Sequence, residues 1–423
     1  MSTIQDQVLA TAKAAQSASW SLATASRAKK DSALRNMSYK LRHNIEAIVE
    51  ANKKDLTNAK TNNLDPKLID RLTLNEERVD ELAEALLIIE KLPDPIGEVI
   101  RGWVQPNGLK IEQVRVPLGV VGIIYEARPN VTVDAAAICL KSGNSVLLRG
   151  SASAKFTNQK LVEILQEALA EEGLPQEAIQ MVPGDTHEAV QHLMNARGLI
   201  DVLIPRGGAS LIESVVRDSK IPVIETGIGN CHVYIDETAD IQMATNIIVN
   251  SKVQRCTVCN AAETLLVHKK IAKEFLPVAL DALKQSGVTL HIDKKFEEFA
   301  KAAQINYLPA TDEDWAAEYY SLDLAAKIVD DMDEAIAHIR QWSSQHTEAI
   351  VTNSVAAAQK FTAEVDAAAV MVNASTRFTD GGEFGFGAEM GISNQKLHAR
   401  GPMGLIEMTS SKYVVTGTGQ IRQ

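Results

Sequence analysis

The chain has 423 residues, of which 45% are hydrophobic and 23% are charged, and its formal net charge at pH 7 is −11. This length and composition are typical of a globular protein of two or three domains, and the acidic balance argues against a nucleic-acid-binding face. The N-terminus lacks the pattern of a signal peptide and no apolar run reaches the ~18 residues that span a bilayer, so we expect a cytoplasmic protein without a membrane partner.

The first part of the chain, to about residue 98, is rich in Ala, Leu, Lys and Glu and is predicted to be helical. Residues 103–116 contain a Pro-Asn-Gly turn between two apolar runs, which is a hairpin pattern. The tail at 411–417 has strand character. Since a terminal strand frays unless it is paired, we predict that the tail pairs with the hairpin, within the chain or across subunits.

Short apolar runs alternate with amphipathic helices through the rest of the chain. Such runs, separated by helices, indicate parallel sheets covered on both faces, and ligands of these sheets bind beyond the carboxyl ends of the strands. A first group of runs lies between residues 116 and 226, and a second α/β segment begins at His232. The predicted strands are residues 119–125, 145–149, 178–182, 202–204, 222–224, 232–235, 263–267, 322–329 and 368–372.

The residues that follow the first group of strands predict a dinucleotide site. Gly150 and Ser151 follow one strand, and Gly207 and Gly208 follow another. Small residues that open a helix let backbone N–H groups approach a phosphate, and Arg149 adds positive charge. No GxGxxG follows the first strand, so the same loops also fit ordinary turn chemistry.

Cys259 is the predicted nucleophile, because residues 250–268 contain two of the four cysteines beside Lys252 and Arg255. A free thiol titrates near pH ~8.5 and reacts as its thiolate, so a catalytic cysteine needs a positive neighbourhood. Two other interpretations stay open from these residues, a buried structural cysteine and a redox pair with Cys256. A zinc site would need two further ligands at close spacing, so the sequence predicts no metal.

Four stretches carry a resemblance to a known family. Residues 124–137 read IYEARPNVTVDAAA, 140–150 read LKSGNSVLLRG, 225–234 read ETGIGNCHVY and 254–261 read QRCTVCNA. The chain closely resembles the γ-glutamyl phosphate reductases of the aldehyde dehydrogenase superfamily along essentially its whole length. The resemblance implies an α/β fold of the aldehyde dehydrogenase type, with two parallel-sheet, Rossmann-like domains and a small β-hairpin oligomerisation element.

The domain boundaries follow from this resemblance. It implies an NADPH-binding domain at residues 1–101 and 117–228. It implies a catalytic domain that carries the nucleophilic cysteine at residues 229–404. The hairpin at 102–116 and the tail at 405–423 would form the oligomerisation element.

The implied reaction is the NADPH-dependent reduction of L-glutamyl 5-phosphate to L-glutamate 5-semialdehyde, with release of phosphate, in the second step of proline biosynthesis. Attack by Cys259 on the acyl phosphate would give a thioester, which divides a difficult reaction into two easier steps. Asn130 matches the superfamily asparagine that, with the backbone N–H of the cysteine, forms an oxyanion hole. The resemblance therefore assigns Cys259 and Asn130 as the catalytic residues.

The resemblance also assigns the cofactor residues. Arg149 matches a superfamily lysine that reaches the adenosine ribose, and an arginine there suits the 2′-phosphate of NADPH. Gly207 and Gly208 match a pair that meets the pyrophosphate, and Ser151 lies in the same group of strand ends. Glu318 matches a glutamate that holds the nicotinamide ribose.

Three arginines are candidates for binding the anionic groups of the substrate, namely Arg128, Arg255 and Arg377. The resemblance further implies a homo-oligomer and a functional coupling to glutamate 5-kinase, which makes the unstable acyl phosphate. Two rival functions remain from the residues alone. One is a hydrolytic aldehyde dehydrogenase or a reductase of another acyl phosphate or acyl-CoA, and the other is a non-enzymatic binding protein that retains the fold.

Overall fold

The computed structural model describes residues 3–64 and 66–422. The helices are α1 (Ile4–Leu22), α2 (Arg27–His43), α3 (Ile45–Thr61), α4 (Pro66–Leu72), α5 (Glu76–Lys91), α6 (Pro129–Lys141), α7 (Lys155–Glu171), α8 (His187–Met194), α9 (Ala209–Asp218), α10 (Ile241–Val253), α11 (Ala272–Gln285), α12 (Glu297–Ala303), α13 (Asp312–Ala316), α14 (Met332–Trp342) and α15 (Val355–Glu364).

The strands are β1 (Val99–Val104), β2 (Lys110–Pro117), β3 (Val120–Tyr125), β4 (Ser145–Gly150), β5 (Ile179–Met181), β6 (Val202–Arg206), β7 (Cys231–Ile235), β8 (Ala262–His268), β9 (Thr289–Ile292), β10 (Tyr307–Pro309), β11 (Asp323–Val329), β12 (Thr347–Val351), β13 (Ala369–Val372), β14 (Ile392–Ser393), β15 (Gly401–Pro402) and β16 (Thr409–Thr416). The chain divides into two compact units. Unit 1 comprises the described residues within Met1–Thr226, Gly385–Gly391 and Met403–Gln423, and unit 2 comprises Gly227–Phe384 and Ile392–Pro402.

Unit 1 contains a parallel sheet with the strand order β5-β4-β3-β6. All residues of β3 and β4 are buried, which explains why these strands are continuous apolar runs. Tyr125, at the end of β3, lies opposite Gly150 of β4 and Arg206 of β6. The loops that follow these three strands therefore begin at the same edge of the sheet.

Unit 2 contains a second parallel sheet, with the strand order β10-β9-β11-β8-β7-β12-β13. Its core is a large cluster in which α10, α11 and α12 cover β7, β8, β9 and β11. The prediction of parallel α/β structure is confirmed in both units. A short antiparallel pair, β14 with β15, also belongs to unit 2.

A three-stranded antiparallel sheet in unit 1 has the order β1-β2-β16. Its first two strands form the predicted hairpin around Pro106-Asn107-Gly108, and Gly108 has a φ of 88°. The tail strand β16 pairs with β2 from Thr409 opposite Pro117 to Thr416 opposite Lys110. The predicted pairing of tail and hairpin is confirmed, and it occurs within the chain.

Two features differ from the sequence prediction. Residues 222–224 do not form a full strand but make a single bridge, Leu203 to Val223, because only two backbone bonds join them to β6. The strands β9, β10 and β12 were not predicted. β9 and β12 contain His291 and Glu348, and β10 has only three residues, so none of the three forms a long apolar run.

Candidate active site

A cleft of about 490 Å³ opens in unit 1 beyond the carboxyl ends of β3 and β4. This is the position at which a parallel sheet binds ligands. The side chains that line it include Tyr125, Glu126, Arg149, Ser151, Ser210 and Asp218. The cleft therefore contains two of the residues predicted to bind the cofactor.

Arg149 lies at the end of β4 and is 9% exposed. Its guanidinium donates to the carbonyl of Gly150, and its Nη2 donates to the carbonyl of Thr186 at 3.3 Å. The Nε atom is buried and has no hydrogen-bond partner among the described residues. Burial lowers the pKa of Arg149, and the nearby Asp185 acts in the opposite direction. A buried guanidinium with an unused donor fits an anionic ligand.

Gly207 and Gly208 precede α9 at the end of β6. A Cβ atom on Gly207 would lie 2.6 Å from Oε2 of Glu126, so a larger residue does not fit without displacing that side chain. The backbone N–H of Gly208 donates to the same Oε2 at 2.9 Å. The start of α9 thus binds a carboxylate of the chain itself, which is what an anion-binding helix N-terminus can do.

Ser151 joins the ends of β3 and β4. Its Oγ accepts a hydrogen bond from the backbone N–H of Ala127 at 3.1 Å and lies 2.6 Å from Oγ of Ser153. Ala127 has a φ of 28°, in the left-handed region that residues other than glycine adopt at a cost in free energy. Ser151 therefore stabilises the strained turn that leads into α6.

Asn130 lies in the first turn of α6, directly after Pro129. Its Nδ2 donates to Oδ2 of Asp134 at 3.2 Å. Removal of the Asp134 carboxylate from water raises its pKa to about 6. The spacing of four residues places both side chains on one face of the helix, a signal that is readable in the sequence but was not used.

Cys259 is half-buried in residues 254–261, which connect α10 to β8 and are named here the thiol loop. Gly229 lies against it so closely that a Cβ atom there would be 1.5 Å from the carbonyl oxygen of Cys259. The thiol of the buried Cys231 donates to the same oxygen at 3.3 Å, and all four cysteines are free. The segment that leads into β7 therefore fixes the backbone of Cys259.

A 3₁₀ turn (Thr376–Phe378) holds the other side of the thiol loop. Oγ1 of Thr376 donates to the carbonyl of Asn260 at 2.7 Å, and Nδ2 of Asn260 donates to the carbonyl of Thr379 at 2.9 Å. The turn carries Arg377, whose Nε donates to Oε1 of Gln254 at 2.7 Å. Hydrogen bonds on both sides of the turn thus hold it against the loop.

Arg377 is the cation that lies near the thiol. Burial lowers the pKa of Arg377, the negative charges of Asp380 and of Cys259 as thiolate raise it, and the nearby Arg255 lowers it. Two of the three predicted substrate arginines therefore lie with Cys259 in unit 2. Lys252, which the sequence also placed beside Cys259, is instead completely buried and forms an ion pair with Glu263.

Glu318 lies between α13 and β11 in unit 2, and its Oε2 accepts a hydrogen bond from the Tyr320 hydroxyl at 2.5 Å. Burial raises the pKa of Cys231 well above its usual range, and Glu348, Cys259, Glu263 and Glu318 raise it further. Glu318 and Cys259 therefore both lie close enough to the Cys231 thiol to act on it electrostatically.

The predicted site residues thus form two sets. Unit 1 contains Arg128, Asn130, Arg149, Ser151, Gly207 and Gly208, and unit 2 contains Arg255, Cys259, Glu318 and Arg377. Sequence reasoning missed three features: the carboxylate beside the amide of Asn130, the close approach of Gly229, and the partner of Lys252. Gly229 and Cys259 are distant in the chain, and Lys252 and Glu263 lie on separate elements. No local sequence pattern reveals either contact.

In residues 3–64 and 66–422, no group of three or more His, Cys, Asp or Glu side chains could hold a metal ion. Within the same ranges, no helix combines the length and the apolar character needed to cross a membrane.

The chain is similar to known proteins in sequence and in structure. Residues 2–305 match the model of the aldehyde dehydrogenase family. The chain is 60% identical over 422 residues to a γ-glutamyl phosphate reductase of Thermobifida fusca, with 100% of both chains covered. It is 56% identical to that of Carboxydothermus hydrogenoformans, with 99% of this chain and 100% of the relative covered.

The structural comparison agrees with the sequence comparison. The solved γ-glutamyl phosphate reductase of Thermotoga maritima has a TM-score of 0.95 and 45% identity, with 99% of this chain and 100% of that chain covered. The aldehyde dehydrogenase-like fold and the resemblance seen in the sequence motifs are both confirmed. The chain belongs to the aldehyde dehydrogenase family and, within it, to the γ-glutamyl phosphate reductases.

Proposed function

We propose that this chain reduces L-glutamyl 5-phosphate to L-glutamate 5-semialdehyde with NADPH, releases phosphate, and so performs the second step of proline biosynthesis. The observation that carries the proposal is a half-buried Cys259 held on both sides beside Arg377, in a chain that matches γ-glutamyl phosphate reductases over its whole length. Unit 1 would bind the dinucleotide and unit 2 would carry the thiol.

Cys259 is the proposed nucleophile. Its thiolate would attack the carbonyl carbon of the acyl phosphate, and the carbon–oxygen bond to phosphate would break, leaving a thioester and free inorganic phosphate. The positive charge of Arg377 favours the thiolate, because an opposite charge nearby stabilises the ionised form. When the thioester is reduced, the carbon–sulfur bond breaks and Cys259 is released as thiolate.

Asn130 is the proposed oxyanion donor. Its amide lies in the first turn of α6, where Asp134 orients it by accepting a hydrogen bond from Nδ2. An amide donor of this kind stabilises the charge that develops on a carbonyl oxygen, and its loss typically costs ~3–4 kcal/mol of activation free energy. Its second N–H would be directed at the substrate oxygen.

Members of this family use nicotinamide cofactors, and the cleft in unit 1 is proposed to bind NADPH. Arg149 offers a buried guanidinium with an unused Nε donor for the 2′-phosphate, next to Ser151. Gly207 and Gly208 are proposed to meet the pyrophosphate at the start of α9, where it would have to displace the Glu126 carboxylate from the Gly208 N–H. When bound, NADPH supplies the hydride for the reduction.

The substrate carries a phosphate and an α-carboxylate, which need cations. Arg377 and Arg255 lie near Cys259 in unit 2 and are proposed to bind one of these groups. Arg128 follows β3 in unit 1 and is proposed as a third contact. Glu318, whose carboxylate is oriented by Tyr320, is proposed to bind the nicotinamide ribose.

The proposed partners follow from the chemistry. An acyl phosphate is unstable in water, so glutamate 5-kinase must supply it close to where it is used. A reactive thiol is best preserved in a reducing compartment, which is why we propose the cytoplasm. We also propose a homo-oligomer assembled through the sheet of β1, β2 and β16.

The test is the reverse reaction, the reduction of NADP⁺ by glutamate semialdehyde in equilibrium with pyrroline-5-carboxylate, with and without phosphate. We expect activity that requires phosphate and is faster with NADP⁺ than with NAD⁺. Cys259→Ser should lower it by at least about 10⁴-fold, since the nucleophile itself is removed. Cys256→Ser is the matched control, a nearby thiol whose replacement should leave turnover intact.

The other outcomes decide between the rivals. Activity without phosphate would indicate a hydrolytic aldehyde dehydrogenase, and a requirement for coenzyme A would indicate an acyl-CoA reductase. A protein without turnover whose Cys259 reacts with iodoacetamide like an ordinary thiol would be a binding protein. Equal rates with NAD⁺ and NADP⁺ would contradict the role given to Arg149.

A further inference from the structure

A completely buried ion pair closes the two ends of the thiol loop. Lys252 is the last but one residue of α10, and Glu263 is the second residue of β8. Both side chains are 0% exposed, and Nζ of Lys252 contacts Oε2 of Glu263. The loop that presents Cys259 therefore begins and ends at one interaction between opposite charges.

This pair is not explained by stability. Two charges removed from water lose hydration free energy that their attraction regains only in part, and buried pairs are often replaced by apolar side chains without loss of stability. The other oxygen, Oε1 of Glu263, is buried without a hydrogen-bond partner among the described residues. Consistent with this environment, burial raises the pKa of Glu263, although Lys252 acts in the opposite direction. A different role is therefore needed.

The pair also contacts the segment that carries Glu318. The charge of Glu318 is near enough to raise the pKa of Glu263, and the aromatic ring of the next residue, Tyr319, lies over Lys252. Nζ of Lys252 lies 5.6 Å from the centre of the Tyr319 ring, within range of a cation–π interaction. One ion pair thus joins the thiol loop to the segment after α13.

That segment has a backbone conformation that needs support. Tyr320 has a φ of 53°, which is unfavourable for a tyrosine, and its hydroxyl binds Glu318. On the far side, the Tyr319 hydroxyl donates to Oδ1 of Asp314 at 3.1 Å, and His291 contacts Asp314 at 2.7 Å. These contacts hold the segment to β9 and α13, while Lys252 and Glu263 hold it to the thiol loop.

We propose that Lys252 and Glu263 are positioning residues, which fix the Glu318 segment relative to the thiol loop so that the cofactor and the thioester meet in one geometry. The inference rests on the proposed function, because it uses Glu318 as a cofactor ligand. Neither residue is proposed to touch the substrate. The pair acts through the Tyr319 ring, which packs over Lys252, and through the two ends of the loop.

The test separates positioning from stability with a double variant. Lys252→Met and Glu263→Met each leave a buried charge without its partner, so each should lower the unfolding temperature. Lys252→Met/Glu263→Met removes both charges and should unfold at or above the wild-type temperature. We nevertheless expect its dissociation constant for NADPH, measured by fluorescence titration, to rise about tenfold, since the Tyr319 ring loses the cation that it packs over.

A second readout is the reverse reaction with the same proteins. The value of kcat/KM should fall about 10- to 100-fold in the double variant, as expected when reacting groups are misplaced by about 1 Å. Lys270→Met/Glu237→Met is the matched control, an ion pair at the far end of β8 whose side chains are 65% and 40% exposed. Its NADPH affinity and turnover should equal those of the wild type.

A stable double variant that binds NADPH as tightly as the wild type would overturn the inference. If the double variant does not fold, Glu263→Asp decides, because it keeps the charge but shortens by one methylene the side chain that holds Lys252 against the Tyr319 ring. We expect it to weaken NADPH binding severalfold, and unchanged binding would reject the inference. A wild-type protein that binds no NADPH would instead reject the proposed function.

Discussion

The amide of Asn130 and the carboxylate of Asp134 show how one neighbouring residue prepares a catalytic group. The two side chains lie four residues apart on α6 and are joined by a hydrogen bond of 3.2 Å. The carboxylate is poorly hydrated there, and its pKa rises from 3.8 to about 6. An amide held by a carboxylate loses less conformational entropy when it binds substrate, whereas the protein loses stability by holding the charge.

Because the charged Asp134 carboxylate lowers the stability of the folded protein, we predict that Asp134→Asn raises the stability in a pH-dependent way. The pKa of Asp134 is higher in the folded protein than in the unfolded chain. The contribution of Asp134 to the unfolding free energy is therefore complete below about pH 4, and it is lost as the pH rises through about 6. We expect the variant to exceed wild type in unfolding free energy by about 3 kcal/mol at about pH 7.5 and to equal it near pH 4. Thermal unfolding across this range is the measurement.

The control for this prediction is Asp281→Asn. Asp281 also accepts from an amide four residues away on a helix, Nε2 of Gln285 at 2.8 Å, but its side chain is exposed. Its replacement should not reproduce the gain expected for Asp134→Asn, since an exposed carboxylate keeps its hydration in the folded protein. A gain for Asp134→Asn that is the same at every pH would show that titration of the carboxylate is not its cause.

At the scale of elements, the thiol loop is held by segments from three parts of unit 2. Gly229 packs against Cys259, the 3₁₀ turn binds Asn260, and the Lys252–Glu263 pair closes the ends. None of these contacts belongs to a regular helix or strand ladder. Their combined effect is to hold a loop, which is usually a mobile element, at one position.

Gly229→Ala tests this packing. The added Cβ would lie 1.5 Å from the carbonyl oxygen and 2.6 Å from Cα of Cys259, so one of the two backbones must move. We expect kcat/KM to fall by about 100-fold, with a loss of about 1–3 kcal/mol in unfolding free energy. Steady-state kinetics and thermal unfolding on the same preparation measure both effects.

Gly102→Ala is the matched substitution for comparison. This glycine lies in β1, and the nearest atom to an added Cβ would be the Ile111 carbonyl oxygen at 3.3 Å. Little change in kcat/KM is expected there. If Gly229→Ala retained wild-type kinetics, the close approach to Cys259 would have no role in placing the thiol.

At the scale of the whole molecule, the sheet of β1, β2 and β16 presents apolar side chains to solvent. Val104 is 68% exposed, and Val415, Tyr413 and Val99 are 55%, 54% and 50% exposed. Within the described chain, β1 and β16 are edge strands, each paired on one side with β2. Exposed apolar edges promote association, so this sheet is the expected contact in the proposed homo-oligomer.

Charges placed on this sheet should therefore dissociate the oligomer. We expect Val104→Glu/Val415→Glu to reduce the mass measured by light scattering towards that of one chain, with NADPH binding retained. Val355→Glu is the control, since this valine of α15 is 73% exposed and lies in unit 2. Equal masses for the two proteins would contradict assembly through the sheet.

Much of the fold was predictable because its cause is local. The strands β3 and β4 are continuous apolar runs, since both faces of a parallel sheet are covered, and the hairpin follows from a Pro-Asn-Gly turn. The strand β12 was missed because it contains Glu348, whose buried carboxylate binds the backbone N–H of His232 on the neighbouring strand. A polar residue whose partner is 116 positions away cannot be told from a surface residue by its neighbours.

The sequence by itself determined the family, the parallel α/β architecture, and the candidate residues Cys259, Asn130 and Arg149, since these depend on motifs and local periodicity. Only the tertiary structure showed that Lys252 forms an ion pair with Glu263 and that Arg377 lies near the Cys259 thiol. The physical reason is that burial and charge act through space. They depend on which distant segments pack together, and spacing along the chain does not contain that information.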